Sequence, residues 1–133
     1  MMKETIICVV IVIAIVIGSI ITQKYTTETV ETFTKKLKKI KEDIVNIEEQ
    51  NEVQLVEIKN KIKNIEKEWN KRHNKLAYFI EHDELEKIET NITGLRSFVD
   101  TKEYPEAICE LETGIFILNH LEEKYALSLQ NIF

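Results

Sequence analysis

The sequence is poor in residues that interrupt helices, with three glycines and a single proline, Pro105, among 133 residues. Charged residues make up 31% of the chain while Ile, Leu and Val stay abundant, a balance that excludes a disordered tail. Its two cysteines lie far apart, Cys8 inside a hydrophobic run and Cys109 well beyond it, which argues against a disulfide between them. The composition therefore predicts a helical protein with one small domain.

The chain also lacks an excess of positive charge, since its formal net charge is −5. This argues against a nucleic-acid-binding protein, which needs basic residues to neutralise phosphates. The charge is uneven: residues 24–80 carry thirteen Lys and Arg against ten Asp and Glu, whereas residues 81–133 carry four against twelve. Either the two halves pack on each other and partly neutralise across the contact, or the acidic half faces a basic partner.

Catalytic motifs are missing as well. The sequence has no Gly-rich phosphate loop, no nucleophile elbow, no Ser/His/Asp pattern and no HExxH pair. We therefore expect neither an enzyme nor a bound cofactor. The lysine cluster Lys35–Lys41 could attract anionic lipid, but along a continuing helix it begins roughly 20 Å beyond the hydrophobic run. That exceeds the Debye length of about 8 Å, so we expect a solvated face.

One long hydrophobic run is present. Ile6–Ile21 contains no charged residue, and twelve of its sixteen positions are Ile or Val. As a helix, residues 5–22 span roughly 27 Å, close to the thickness of a bilayer core. Bulky Ile20 and Ile21 occupy the places where a signal-peptidase site needs small residues, so we expect an uncleaved anchor. The sequence thus predicts a single-pass protein of the cell membrane, with residues 1–23 as the anchor in the lipid bilayer.

The orientation of the anchor follows from its flanks. Lys24 and the lysines after it outnumber Lys3, which by the positive-inside rule favours a cytoplasmic domain. Long domains, however, translocate largely regardless of charge, and a short N-terminal tail with one lysine is typical of signal anchors. We therefore expect the domain of residues 24–133 to be extracytoplasmic.

Beyond the run, apolar residues recur every three or four positions in four successive seams. The seams predict helices at about 24–48, 52–80, 83–100 and 103–125. Asp83, with Glu86 three residues later, is predicted to cap the third helix. The expected fold is all-α: an N-terminal transmembrane helix followed by a four-helix antiparallel bundle. The alternative is a coiled coil of residues 24–80 that dimerises, against which the break in phase at Asn51 counts.

Several side chains are candidates for structural or interaction roles. A metal site would need His82, Asp83 and Glu84 to meet His120 or His73 from another helix. The sequence favours a structural role instead, with His82 in an interhelical turn bonding a helix end. Trp69 lies on an apolar seam and is expected to anchor the core. The complete set of candidates is Trp69, Phe79, His82, Asp83, Glu84 and His120, with no catalytic, cofactor-binding or metal-binding residue among them.

The stretch Leu76–Glu89, above all Phe-Ile-x-His-x-Glu-Leu at Phe79–Leu85, and the ending Leu127–Phe133 carry a resemblance. The chain resembles domain-of-unknown-function family 4363, a group of small membrane proteins from spore-forming Gram-positive bacteria. It departs from the family pattern at Asn51–Val53, where an acidic residue followed by Trp is expected. The resemblance implies an anchored helical domain with no assigned activity, and partnership with multi-pass membrane proteins of the YetF-like type.

The function expected from the sequence is that of a membrane-tethered, non-catalytic interaction module, an accessory subunit of a membrane protein complex. The alternative is a structural homo-oligomer that pairs through the coiled coil of residues 24–80. Both follow from the anchor, the helical domain and the missing catalytic pattern.

Overall fold

A computed structural model describes the backbone of residues 1–132 and the side chains of residues 1–125. Its described residues form four helices and no strand: α1 (Met2–Val45), α2 (Glu52–Leu76), α3 (His82–Asp100) and α4 (Tyr104–Ile132). The predicted all-α fold is confirmed. The apolar run and the first helix of the bundle form a single helix of 44 residues, because no proline or turn sequence separates them. The tail Leu127–Phe133 lies outside the residues whose side chains are described.

The amino-terminal half of α1 is long and apolar enough to cross a membrane, and none of its apolar stretch is buried inside the structure. Most of its large apolar side chains are more than half exposed, as at Ile13 (52%) and Ile21 (59%). Burial begins further along the same helix, at Thr26, Thr29 and Val30. Only the second half of α1 therefore belongs to the bundle.

The four helices pack in a ring, in which α1 contacts α2 and α4, and α3 also contacts α2 and α4. Contacts between side chains show that neighbouring helices are antiparallel. On α1 and α2, Lys36 meets Glu68 and Asp43, further along α1, meets Lys61, earlier on α2. The α2–α3 turn therefore lies at the end of the bundle from which the apolar half of α1 emerges, and the turn between α1 and α2 lies at the far end.

The core is built from the apolar seams. Its buried residues on α1, α2 and α3 are those that the periodicity marks: Val30, Phe33, Leu37, Ile40, Ile44, Leu55, Ile58, Ile62, Ile65, Trp69, Leu76, Leu85, Ile88, Ile92, Leu95 and Val99. On α4 the seam residues Leu111, Leu118 and Leu121 are buried as predicted. Ile108 and Ile115 of the same seam are only partly buried, and Ala107 and Gly114 are buried beside them. Small residues on this face let α4 approach α3 and α1 closely.

Turn chemistry fixes where the helices begin and end. The Asn51 side chain accepts a hydrogen bond from the Gln54 amide at 3.2 Å and so caps α2. Helix α3 ends in a Schellman motif, with the Glu103 amide bonded to the Phe98 carbonyl and Lys102 in the left-handed region at φ 60°. Helix α2 stops at Leu76, four residues before the predicted end, although Ile80 stays buried beyond it.

The prediction that Asp83 caps α3 is wrong. The helix begins at His82, its N-cap residue is Glu81, and no side chain bonds the first turn as a cap. The backbone amide of Glu81 instead donates to the Tyr125 hydroxyl of α4 at 2.9 Å. Because α3 starts one residue earlier than predicted, Asp83 lies inside its first turn, where it acts only through the helix dipole.

Candidate functional site

A groove of about 460 Å³ lined by lysines lies between α1 and α2. Hydrophobic Ile40 and Ile65 form its floor. Five lysines line it, together with Asn64 and Glu68: Lys36 and Lys39 from α1, and Lys61, Lys67 and Lys71 from α2. We call these residues the basic groove. The lysines of α1 are far in sequence from those of α2, and the antiparallel packing of the two helices brings the two sets together.

Ion pairs on the rim orient part of the basic groove. Lys36 bonds Glu68, while Lys61 and Lys39 both reach Asp43, at 2.5 and 3.5 Å. Burial alone would raise the pKa of Asp43, but the hydrogen bond from Lys61 and the charges of both lysines outweigh it and hold that pKa below its usual value. Asp43 is therefore an anion at neutral pH.

Two lysines of the groove have no such partner. Within the described part of the chain, no carboxylate lies within ion-pair distance of Lys67 or Lys71, and both side chains are exposed. The groove thus keeps an excess of positive charge after its internal pairs are counted. An exposed cation of this kind is available to an anionic group from another molecule.

The distance along α1 from the apolar run to the groove limits which molecules the groove can contact. Lys36 lies fourteen residues beyond Thr22, which is about 21 Å along a straight helix. A bilayer that holds the apolar half of α1 is then well beyond the Debye length of about 8 Å. Of the cluster Lys35–Lys41, Lys36 and Lys39 line the groove, and Lys41 bonds Glu112 of α4 at 2.9 Å.

The opposite side of the ring is acidic. Asp83, Glu86 and Glu110 line a shallower groove between α3 and α4, in which Lys87 is the only basic residue among those described. Exposed ion pairs also join the two halves of the chain: Lys41 with Glu112, Lys59 with Asp100, Arg96 with Glu66 and Lys102 with Glu52. The halves therefore neutralise each other in part, and each still presents a face of its own charge.

A buried polar contact joins α3 to α4. The Asn91 side chain, 5% exposed, donates to the backbone oxygen and the carboxylate of Glu110 at 2.8 and 2.7 Å. Asn91 is also the acceptor position of a glycosylation sequon that ends at Thr93. Because its amide nitrogen is engaged inside the bundle, the folded protein presents no accessible sequon there.

The aromatic candidates lie in two different places. Trp69 is 1% exposed and packs edge-to-face on Phe33, with ring centroids 5.4 Å apart, which places it in the core. Its indole Nε1 is buried without a hydrogen-bond partner in the described structure. Phe79 is half-buried in the α2–α3 turn, edge-to-face with Tyr25 of α1 at 6.3 Å.

The histidines do not converge. His82 is exposed at the start of α3 and lies edge-to-face with His73 at 6.4 Å, while His73 bonds Glu89 at 3.2 Å. His120 stacks on exposed Phe116 on the outer face of α4. Among residues 1–125, no group of three or more His, Cys, Asp or Glu side chains is placed to hold a metal ion.

Glu84 has a structural environment. It is 8% exposed and pairs with Lys87 and Lys124 at 3.6 and 3.4 Å. Burial would lower the pKa of Lys124, but the charges of Glu81 and Glu84 outweigh it and raise that pKa. Asp83, its neighbour, is exposed and lines the acidic groove. The ion pairs of Lys124 with Glu81 and Glu84 connect α4 to the start of α3.

Sequence reasoning missed the basic groove and the Asn91–Glu110 contact. The sequence held a signal for the second: Asn91 is a polar residue on the buried side of a seam, and a glycine, Gly114, faces it from α4. For the basic groove, the Lys35–Lys41 cluster was the only signal in the sequence. Lys67 and Lys71 joined it through the register of α2 against α1, which a single sequence does not provide.

No curated protein and no solved structure matches the chain. The model of a family described as a domain of unknown function (DUF4363) matches residues 20–132, which is the whole bundle and leaves most of the apolar run outside. Because this match covers most of the sequence, the chain belongs to the DUF4363 family.

Proposed function

We propose that this protein is a membrane-tethered, non-catalytic interaction module, an accessory subunit of a membrane protein complex. The observation that carries the proposal is the continuity of α1, whose first half is apolar and exposed and whose second half lies in the bundle core. Because α1 has no break, it holds the bundle at a fixed height above a bilayer. A tether without a hinge suits a protein that meets a partner in the same membrane.

The basic groove is the docking surface in this proposal. It lies about 21 Å from the end of the apolar run, a height that the extramembrane part of a neighbouring membrane protein can reach. Exposed Lys67 and Lys71 suit a segment that carries Asp or Glu. The occupant we propose is thus an acidic segment of the partner subunit.

We place the bundle on the extracytoplasmic side, as the short N-terminal tail favours. Multi-pass proteins of the YetF-like type, implied by the family resemblance, are the first partners to test. Spanning by α1 is itself part of the proposal, supported by the length and apolar composition of its first half.

A homo-oligomer is the second candidate, and one observation favours a particular form of it. The seams of residues 24–80 are already buried within the bundle, so a coiled coil through them would require the bundle to open. The acidic groove of α3 and α4, however, complements the basic groove. Two copies anchored side by side could pair these faces.

The test is crosslinking in native membranes. A photo-crosslinking residue at Asn64, exposed in the groove, is introduced into the tagged full-length chain, and crosslinked peptides are read by mass spectrometry. The groove variant is the double substitution Lys67→Glu and Lys71→Glu. The matched control is Lys38→Glu and Lys63→Glu, two exposed lysines of α1 and α2 outside the groove.

The proposal expects an Asp/Glu-rich peptide of one membrane protein, captured by the wild type and by the control and lost in the groove variant. Capture of the chain's own α3 or α4 peptides would move the assignment to the homo-oligomer. Capture that the groove variant leaves unchanged would reject the groove as the docking surface.

A further inference from the structure

The α2–α3 turn, residues 77–81, lies level with the end of the apolar run. Three contacts set the register of α1 against α2, namely Thr29 with Arg72, Lys36 with Glu68 and Asp43 with Lys61. In two antiparallel helices, residues at the same height have numbers whose sum is nearly constant. In these three pairs the sum is between 101 and 104. Position 78 is therefore level with positions 23–26 of α1. That is one to four residues past Thr22, or about 2 to 6 Å along the helix.

This turn carries side chains suited to a membrane–water interface. Tyr78 is 89% exposed, although it is a large aromatic residue. Beside it, Phe79 packs on Tyr25, and the Lys75 ammonium lies 4.4 Å from the centre of the Tyr25 ring. Tyrosines and lysines are enriched where membranes meet water, because their apolar bodies enter the headgroup layer while their polar ends stay wet.

Acidic groups near the turn do not leave it strongly negative. The Glu81 carboxylate lies 3.6 Å from the Lys124 ammonium, and Glu84 is paired with the same lysine. Lys24 and Lys75 are exposed at the same level. The carboxylate of Asp83 is also exposed, but it lies on the α3–α4 side of the bundle, in the acidic groove.

We propose that the α2–α3 turn rests on the lipid bilayer and that Tyr78 lies in its headgroup layer. The headgroup layer on each side of the hydrocarbon core is about 5 to 8 Å thick, which matches the height of the turn. The inference depends on the proposed span of α1, since only a bilayer around Ile6–Ile21 brings lipid to this level. A helix alone leaves the bundle free to tilt and rotate, whereas a second contact at the turn fixes both. The turn thereby sets the direction in which the basic groove faces.

The experiment measures depth with spin labels on the full-length protein in nanodiscs of phosphatidylcholine and phosphatidylglycerol. Cys8 and Cys109 are first replaced by Ser, and single cysteines are then labelled. The label at Ala77→Cys reports on the turn while keeping Tyr78, and the label at Val53→Cys reports on the far end, where Val53 is 71% exposed. The label at Ile13→Cys reports on the span.

The inference expects the label at 77 to be several-fold less accessible to a water-soluble nickel chelate than the label at 53, and more accessible to oxygen. Adding Tyr78→Ser should raise the nickel accessibility at 77. The matched control Phe116→Ser, another exposed aromatic residue, should leave it unchanged.

Two outcomes separate the inference from the proposal on which it rests. If the label at 13 lies in lipid while those at 77 and 53 are equally accessible to nickel, the turn does not touch the bilayer and the inference is overturned, with the tether intact. If the label at 13 is itself open to nickel, α1 does not span, and the proposed function fails together with the inference.

Discussion

The side-chain oxygen of Asn91 lies only 2.3 Å from the position that a Cβ on Gly114 would take. Glu110 holds this Asn91 side chain by two hydrogen bonds, so it cannot move aside without losing them. Alanine is the better helix former by about 1 kcal/mol, yet the clash costs more. We therefore expect Gly114→Ala to lower the free energy of unfolding by about 1 to 3 kcal/mol, measured by denaturant unfolding of the full-length chain in mild detergent.

Gly94→Ala is the matched control, since Gly94 also lies in a helix of the α3–α4 contact. A Cβ there meets only the end of the Glu110 side chain, at 3.3 Å. The expected change is within about 1 kcal/mol, because the gain in helix propensity offsets a small shift of that side chain. Equal stability of the two variants would mean that Asn91 does not hold the position described.

The apolar periodicity predicted most of the fold, because its seams coincide with buried residues on all four helices, including Leu111, Leu118 and Leu121 of α4. On α4 it also marked Ile108 and Ile115, which are only partly buried, and it missed Ala107 and Gly114, which are buried. Small residues carry little hydrophobic signal, so a pattern of large apolar side chains cannot identify a face that packs by close approach. The Asn91–Glu110 contact was missed for the same reason, because it depends on the close approach of α4 to α3.

The N-terminal ends of α2 and α3 give a second prediction. Asn51 accepts the Gln54 amide, so Asn51→Ala should lower the free energy of unfolding by about 1 kcal/mol. Asp83 makes no cap bond, and Asp83→Ala should lower it only by about 0.3 to 1 kcal/mol through the helix dipole, an effect that salt screens. Thermal melts at low and high salt distinguish them. A salt-independent loss at Asp83 larger than that at Asn51 would contradict these helix starts.

The turn between α3 and α4 holds a residue in an unfavourable backbone conformation. Lys102 has φ 60°, which costs a residue with a Cβ roughly 1 kcal/mol relative to glycine. Lys102→Gly should therefore raise the free energy of unfolding by up to about 1 kcal/mol, less the weak exposed ion pair with Glu52. Lys102→Ala removes that ion pair but keeps the Cβ, and it should not be stabilising. A destabilised glycine variant would argue against the Schellman motif.

The basic groove shows why the candidate site was harder to predict than the fold. Helices follow from local periodicity, but the groove requires the register of α2 on α1, which depends on contacts between Lys36 and Glu68 and between Asp43 and Lys61. Those contacts join residues distant in sequence. Lys67 and Lys71 of α2 belong to the groove only through that register.

The orientation of the bundle gives a prediction that uses the native thiol of Cys109. Cys109 is an exposed free thiol on the bundle, whereas Cys8 lies in the apolar run. With the bundle on the extracytoplasmic side, a membrane-impermeant maleimide added to intact cells should label Cys109. Cys109→Ser should abolish that labelling, which controls for reaction at Cys8. Labelling only after the cells are broken open would place the bundle in the cytoplasm.

The depressed pKa of Asp43 predicts how stability depends on pH. A carboxyl group whose pKa is lower in the folded state than its usual value of 3.8 stabilises the fold above that value, and the contribution is lost as the pH falls through the folded pKa. Because Asp43 and Lys61 are partly exposed, we expect Asp43→Asn to cost about 0.5 to 1 kcal/mol at pH 7. The difference from the wild type should shrink as the pH falls below about 4, where the wild-type aspartate also loses its charge. Glu57→Gln, an exposed carboxylate on α2, should show no such pH-dependent difference, and a gap at Asp43 that persists at the lowest pH would rule out the charge as its cause.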